Sequence, residues 1–270
     1  MGPRFSRVCR TPRIGNTQAK APTMRTNYSR EKVQAILSDY VEAKDPLLLD
    51  LVVESLFKLL PQNAPESNEI WSFGEDCFNL AEINSYKSGV HSRLAQLLES
   101  LGLSNQFRGW DPVRLTSIPG PDEGDPDRYV SYNSFLAHLY EHRIFPTDPT
   151  YAMWAMRAAF EENRGEEEKM VRSAWILGAA QWILWHGQSI FNLLLHPALF
   201  DVTLMTWPDR QAWDSGPLYT GSGGLSLERW QFWKRSFQDI LQESKVTAEC
   251  KEVSIKAIMM MNMFERNMMF

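Results

Sequence analysis

His138, Glu141 and His142 stand in the order H-x-x-E-H. On a helix, positions 138 and 142 share one face, so two imidazoles could hold a zinc ion while the glutamate activates a bound water. Such a centre needs a third ligand from elsewhere, and so short a pattern arises readily by chance. The competing reading puts both histidines at the border of the apolar face built by Phe135 and Leu139. A second candidate is Gly221-Ser222-Gly223-Gly224 ahead of Ser226, where a glycine loop opening a helix could cradle an anion. It lacks the lysine of a phosphate loop and a preceding strand, so a flexible lead into a helix accounts for it more simply. A third candidate is His186, set among Trp182, Trp185 and Phe191 in an uncharged stretch. With Tyr219, Trp230 and the loop 207–224 folded over it, His186 could line a pocket for a small molecule. A hydrogen-bonded core histidine explains the same residue.

Other chemistry leaves no mark. There is no Gly-x-Ser-x-Gly elbow, no dinucleotide fingerprint and no Cys/His pair in a recognisable frame, so no cofactor is expected. The three cysteines, Cys9, Cys77 and Cys250, have no metal spacing and argue for a reducing compartment. Residues 1–30 carry seven basic side chains and no acidic one, which leaves 21 basic against 33 acidic in the remainder. A body so acidic repels phosphate backbones, so no nucleic-acid partner is expected. The basic head, residues 1–28, reads as a disordered arm or a targeting extension, with Met24 as an alternative start. Cytoplasm or nucleus is the expected location, with mitochondria implied if the head is a transit peptide. Ser173 to Phe200 has no charged residue, yet Gln181, His186, Gln188, Ser189 and Asn192 recur too often for a lipid-facing helix. It reads as a buried core helix or helix pair, broken at Gly187 and Pro197, and no membrane span is expected.

The elements that must position these groups follow a period of 3.6 throughout, with almost no strand-like alternation. Ser29 caps a helix carrying Val33, Ile36, Leu37, Tyr40 and Val41; Asp45-Pro46 opens a second, which Pro61 ends. Ile70, Gly74, Cys77, Phe78 and Ala81 mark a third face, and Val90, Leu94, Leu97, Leu98 and Leu101 a fourth. Four prolines together with Gly120 and Gly124 make 109–128 a loop. Helices resume at Tyr132–Tyr140, behind Asp148-Pro149, and with Glu166-Glu167-Glu168 as an acidic first turn suited to the helix dipole. Trp230, Trp233, Phe237, Ile240 and Leu241 form the next apolar face. Thr247 caps the last helix, with Cys250, Val253, Ala257, Ile258 and Met261 inward. The expected fold is all-α, a single compact non-repeat helical bundle over residues 29–270 with long loops near 104–128 and 201–225.

The segment Gly216-Pro-Leu-Tyr-Thr-Gly-Ser-Gly-Gly-Leu-Ser-Leu-Glu-Arg-Trp-Gln-Phe-Trp-Lys234 resembles the closing motif of a fungal family catalogued as a domain of unknown function, number 3632. Tyr132–Ala137 with Tyr151–Arg157 look like that family's central helices, and Ala179–Ile183 resembles its small-residue helix ending in an aromatic cluster. The likeness runs from about Ser29 to the C-terminus. It implies a helical fold and a fungal source, and brings no activity or site residue with it; His138 and His142 lie outside its pattern.

Two functions from different classes remain. One is a non-catalytic helical interaction or scaffold protein, docking an unknown protein partner through aromatic and methionine-rich faces such as Met259, Met260, Met261, Met263, Met268 and Met269. The other is a helical enzyme or small-molecule binder using Trp182, Trp185, His186, Tyr219 and Trp230. Oligomeric state is not legible.

Overall fold

The computed structural model describes residues 28–43, 48–61, 67–102, 120–144, 149–196 and 211–267. The expected extension 1–28 therefore lies outside them but for Tyr28, as do Asp45-Pro46, Asp148, Cys9, Met268 and Met269, most of the 104–128 loop, and residues 201–210. Among the described residues every regular element is a helix: α1 (Arg30–Glu42), α2 (Leu48–Leu59), α3 (Asn68–Ile83), α4 (Val90–Gly102), α5 (Pro126–Glu141), α6 (Thr150–Phe160), α7 (Lys169–Leu195), α8 (Leu227–Ile240) and α9 (Ala248–Arg266). The fold is all-α.

The caps follow local chemistry. Ser29, Ser67, Asp125, Ser226 and Thr247 each take the N-cap, and each side chain accepts from an amide of the first turn. Helix α5 begins at Pro126, inside the stretch assigned to loop, because proline suits the first helical position. The acidic run at 166–168, expected as a first turn, instead precedes α7: the Glu167 amide closes a turn onto the Arg164 carbonyl, Glu168 is the N-cap and Lys169 the first helical residue. The α1 C-terminus is closed from outside: the Arg93 guanidinium donates to the carbonyls of Val41 and Ala43, and Tyr40 Oη donates to the Arg93 carbonyl.

Packing is organised around α5 and α7. Helix α7 touches α5, α6 and α9, while α5 also meets α3 and α4, and α1 to α4 pack on one another. Every residue of α5 from Tyr129 to Tyr140 is buried, polar ones included. Helix α7 is a single run of 27 residues. The break expected at Gly187 is absent because that position is a crossing point. A Cβ there would lie 2.8 Å from the Phe264 ring of α9, so the missing side chain admits α9 without interrupting the helix. No helix among the described residues is long and apolar enough to cross a membrane. Buried side chains from all nine helices join one contiguous core.

Candidate functional site

Helix α8 buries Arg229, Trp230, Trp233, Phe237 and Ile240. An arginine on such a face is costly unless every donor is met. Its partner is Glu161, the residue that closes α6, and both side chains are fully buried. Arg229 Nε donates to Glu161 Oε1 at 2.7 Å and one terminal nitrogen to Oε2 at 2.9 Å, a bidentate fork. The remaining donors go to the carbonyls of Trp213, Gly224 and Asp214 at 2.9–3.0 Å. The carboxylate in turn accepts from Trp233 Nε1 at 2.8 Å and from the Gly216 amide at 2.9 Å, while the Glu161 carbonyl accepts from the Leu218 amide. Helix α6, the loop 211–226 and α8 are thus clasped by one ion pair. A Cβ at Gly216 would sit 2.6 Å from the Glu161 Cβ and 2.7 Å from its carbonyl oxygen, which is why glycine stands there.

The glycine loop considered as an anion cradle is part of this clasp. The Gly224 amide donates to the Trp213 carbonyl, Ser215 Oγ donates to the Gly221 carbonyl, and Ser226 Oγ caps the Arg229 amide. Two of the amides that an anion could use, those of Gly224 and Arg229, are thus engaged in holding the turn and its helix. Tyr219 packs on Phe232 beneath it, its buried hydroxyl against Gly221 and unpaired among the described residues.

The second concentration of polar chemistry is the α5–α7 seam. At its interior end Trp182 Nε1 donates to Asn133 Oδ1 at 2.9 Å, and Asn133 Nδ2 donates to the Tyr129 carbonyl. Further out, Trp185 Nε1 donates to Gln181 Oε1 at 3.1 Å, and the Trp185 ring lies 4.3 Å from the His138 ring. Gln181 Nε2 is buried without a partner among the described residues. At the outer end Glu141 Oε2 meets His186 Nδ1 at 3.0 Å and accepts from Ser189 Oγ at 3.3 Å.

Burial pushes His138 down to about 3, with nearby His91 and His142 adding to the effect, so its imidazole is neutral at physiological pH. Burial likewise lowers His186, partly offset by Glu141, and lowers His91 against the pull of its bonds to the Ala81 and Asn84 carbonyls. Serine, histidine and glutamate meet here without forming a nucleophile relay. Ser189 donates to the carboxylate, whereas a relay needs the base against the nucleophile.

The residues singled out by pattern fall as follows. His138 turns onto Trp185, Glu141 onto His186, and His142 onto Glu99 at 2.7 Å, so the three groups of H-x-x-E-H go to three partners. Among the described residues no group of three or more His, Cys, Asp or Glu could hold a metal ion. Trp182, Trp185 and His186 do gather on the seam, with Tyr140 against both Trp182 and His186. Trp230 belongs to a different group, packing on Phe191 and donating to Glu265, and Tyr219 belongs to the clasp. Of the loop 207–224, only residues from 211 onward are described.

Glu161 and Asn133 carried no sequence signal of their own. Arg229 did, as a charge at an inward position of α8.

A helical protein with a buried clasp at α6 and α8 is the class these features define. A family model described as a protein of unknown function (DUF3632) matches residues 75–237, from α3 to α8, and the chain belongs to that family. The match is narrower than the likeness drawn from Ser29 onward, and it ends just beyond the clasp. No curated protein and no solved structure matches the chain.

Proposed function

We propose that this protein is a non-catalytic helical interaction protein, folded as one domain over residues 29–270, and that α9 presents its docking face. The observation that carries this reading is the row Ile255, Met259 and Met263, exposed at 45%, 65% and 44% although large and apolar. They stand four residues apart, so they form one strip on the side of α9 opposite its buried Val253, Ala257, Met261 and Phe264. Methionine suits such a face because its flexible thioether adapts to a partner's relief. The partner is a protein surface with an apolar strip, a base opposite Glu252 and an acid opposite Arg266. Support also comes from Arg229 in the 216–234 motif, whose donors are spent on Glu161 and on carbonyls of the 211–226 loop. The test is gel filtration of the tagged chain in extracts of its own host. The triple change Ile255→Gln, Met259→Gln, Met263→Gln should move it to the mass of the isolated chain. Elution unchanged by the triple variant refutes the reading.

One observation favours the alternative of a helical enzyme or small-molecule binder around Trp182, His186 and the 207–224 loop: the buried, unpaired Nε2 of Gln181, whose Oε1 accepts from Trp185. A co-purifying compound of defined mass, lost from a folded His186→Ala variant, would establish it; a compound retained by that variant would end it.

A further inference from the structure

We infer that the partner of the α9 face is a second copy of this chain, docked antiparallel about a two-fold axis through Met259; this rests on the interaction reading above. Exposed positions of α9 are symmetric about Met259. Ile255 and Met263 stand four residues on either side of Met259, and Glu252 and Arg266 stand seven on either side. At 100° per residue all five fall within an arc of roughly 80° on the helix surface. Glu252 and Arg266 are both exposed, and neither is ion-paired among the described residues.

A two-fold contact brings residue i of one copy to residue j of the other and the reverse. With Met259 on the axis, Met259 meets itself, Ile255 meets Met263 of the second copy, and Glu252 meets Arg266 of the second copy, each of the last two pairs occurring twice. A parallel arrangement would oppose glutamate to glutamate and arginine to arginine. The antiparallel one also aligns the helix dipoles head to tail. An unrelated partner would need to reproduce this palindrome of charge and apolar groups, whereas a second copy carries it already.

The contact spans Glu252 to Arg266, roughly 21 Å of helix at 1.5 Å per residue. One helix pair of that length lies at the lower end of specific interfaces, where association is weak and concentration-dependent.

Sedimentation equilibrium of the full chain over a micromolar concentration series tests this. Wild type should rise from monomer toward twice the chain mass. Glu252→Arg alone and Arg266→Glu alone each create two like-charge contacts and should weaken association by about tenfold or more. The double variant restores opposite charges and should return to within about threefold of wild type, and Met259→Asp should abolish the dimer. All these positions are exposed, so circular dichroism should report an intact fold. A wild type monomeric throughout, a dimer indifferent to Met259→Asp, or a double variant no better than the singles overturns the proposal. A photo-crosslinking residue at position 255, activated in the native host, separates this failure from that of the broader reading. A cross-link between two copies supports both. A cross-link to a different polypeptide overturns the dimer and leaves the interaction function standing, and no cross-link overturns both.

Discussion

Lowering the pH from 7.5 to 5 should destabilise the fold through His138, by about 2 kcal/mol from that residue alone. The side chain is buried on α5 against the Trp185 ring, where burial holds its pKa down to about 3. In the unfolded chain it titrates near 6.5. A depressed histidine contributes no penalty above pH 6.5, where both states are neutral. Below that value the unfolded chain takes up a proton that the folded one refuses, so stability falls as the pH drops from 6.5 toward about 3. At pH 5 the gap to 6.5 is 1.5 units, and at about 1.36 kcal/mol per unit this is about 2 kcal/mol, or roughly 4–8 °C in melting temperature. His91 and His186 shift in the same direction and add to the total. The assay is urea unfolding at pH 7.5 and 5.0 for wild type and for His138→Phe, which keeps a ring against Trp185. Subtracting the two pH differences removes the variant's own offset and the shared carboxylate titrations. A His138→Phe protein that loses as much stability on acidification as wild type would refute the reasoning.

Other consequences concern the clasp and the seam. Arg229→Lys keeps the charge but loses the fork to Glu161, and urea titration should show a loss of about 3–5 kcal/mol. Pairing Glu161→Gln with Arg229→Met should not restore stability in the same titration, because the carbonyls of Asp214 and Gly224 lose their Arg229 donor whether or not Glu161 is neutralised. Gly216→Ala forces the loop away from α6, since the nearest obstacle includes the Glu161 carbonyl, and should lower stability by about 1–3 kcal/mol in the same assay. Trp182→Phe removes the donor to Asn133 Oδ1 in a fully buried site and should cost about 1–3 kcal/mol beyond the lost volume. Trp182→Phe with Asn133→Leu should then cost less than the sum of its parts, as measured by a double-mutant cycle.

Much of the fold was legible from the residues in order. The apolar faces of α1, α3, α4 and α8 are periodic enough to name their buried positions, and Ser29, Ser226 and Thr247 announce their helices by chemistry confined to one turn. Helix α7 was recognisable as buried from the lack of charge from Ser173 onward. Its continuity through Gly187 was not, because the reason is a ring on α9, 77 positions away. The exposed strip of α9 was visible only as an excess of methionines beyond the inward stripe.

What the sequence by itself determined is local: helical periodicity, caps, an acidic body, and the lack of any spacing that compels a catalytic reading. Tertiary structure alone decided how the polar residues are spent. Arg229 at an inward position of α8 demands a carboxylate, yet the chain offers 33 acidic side chains, and only folding selects Glu161, 68 positions away. The same holds for His138, Glu141 and His142, whose spacing suits one metal and whose neighbours send them to three partners. Periodicity and capping depend on neighbours within a few residues. A buried charge or an unpaired amide is satisfied by whatever group the packing of distant helices brings within 3 Å, which no spacing along the chain encodes.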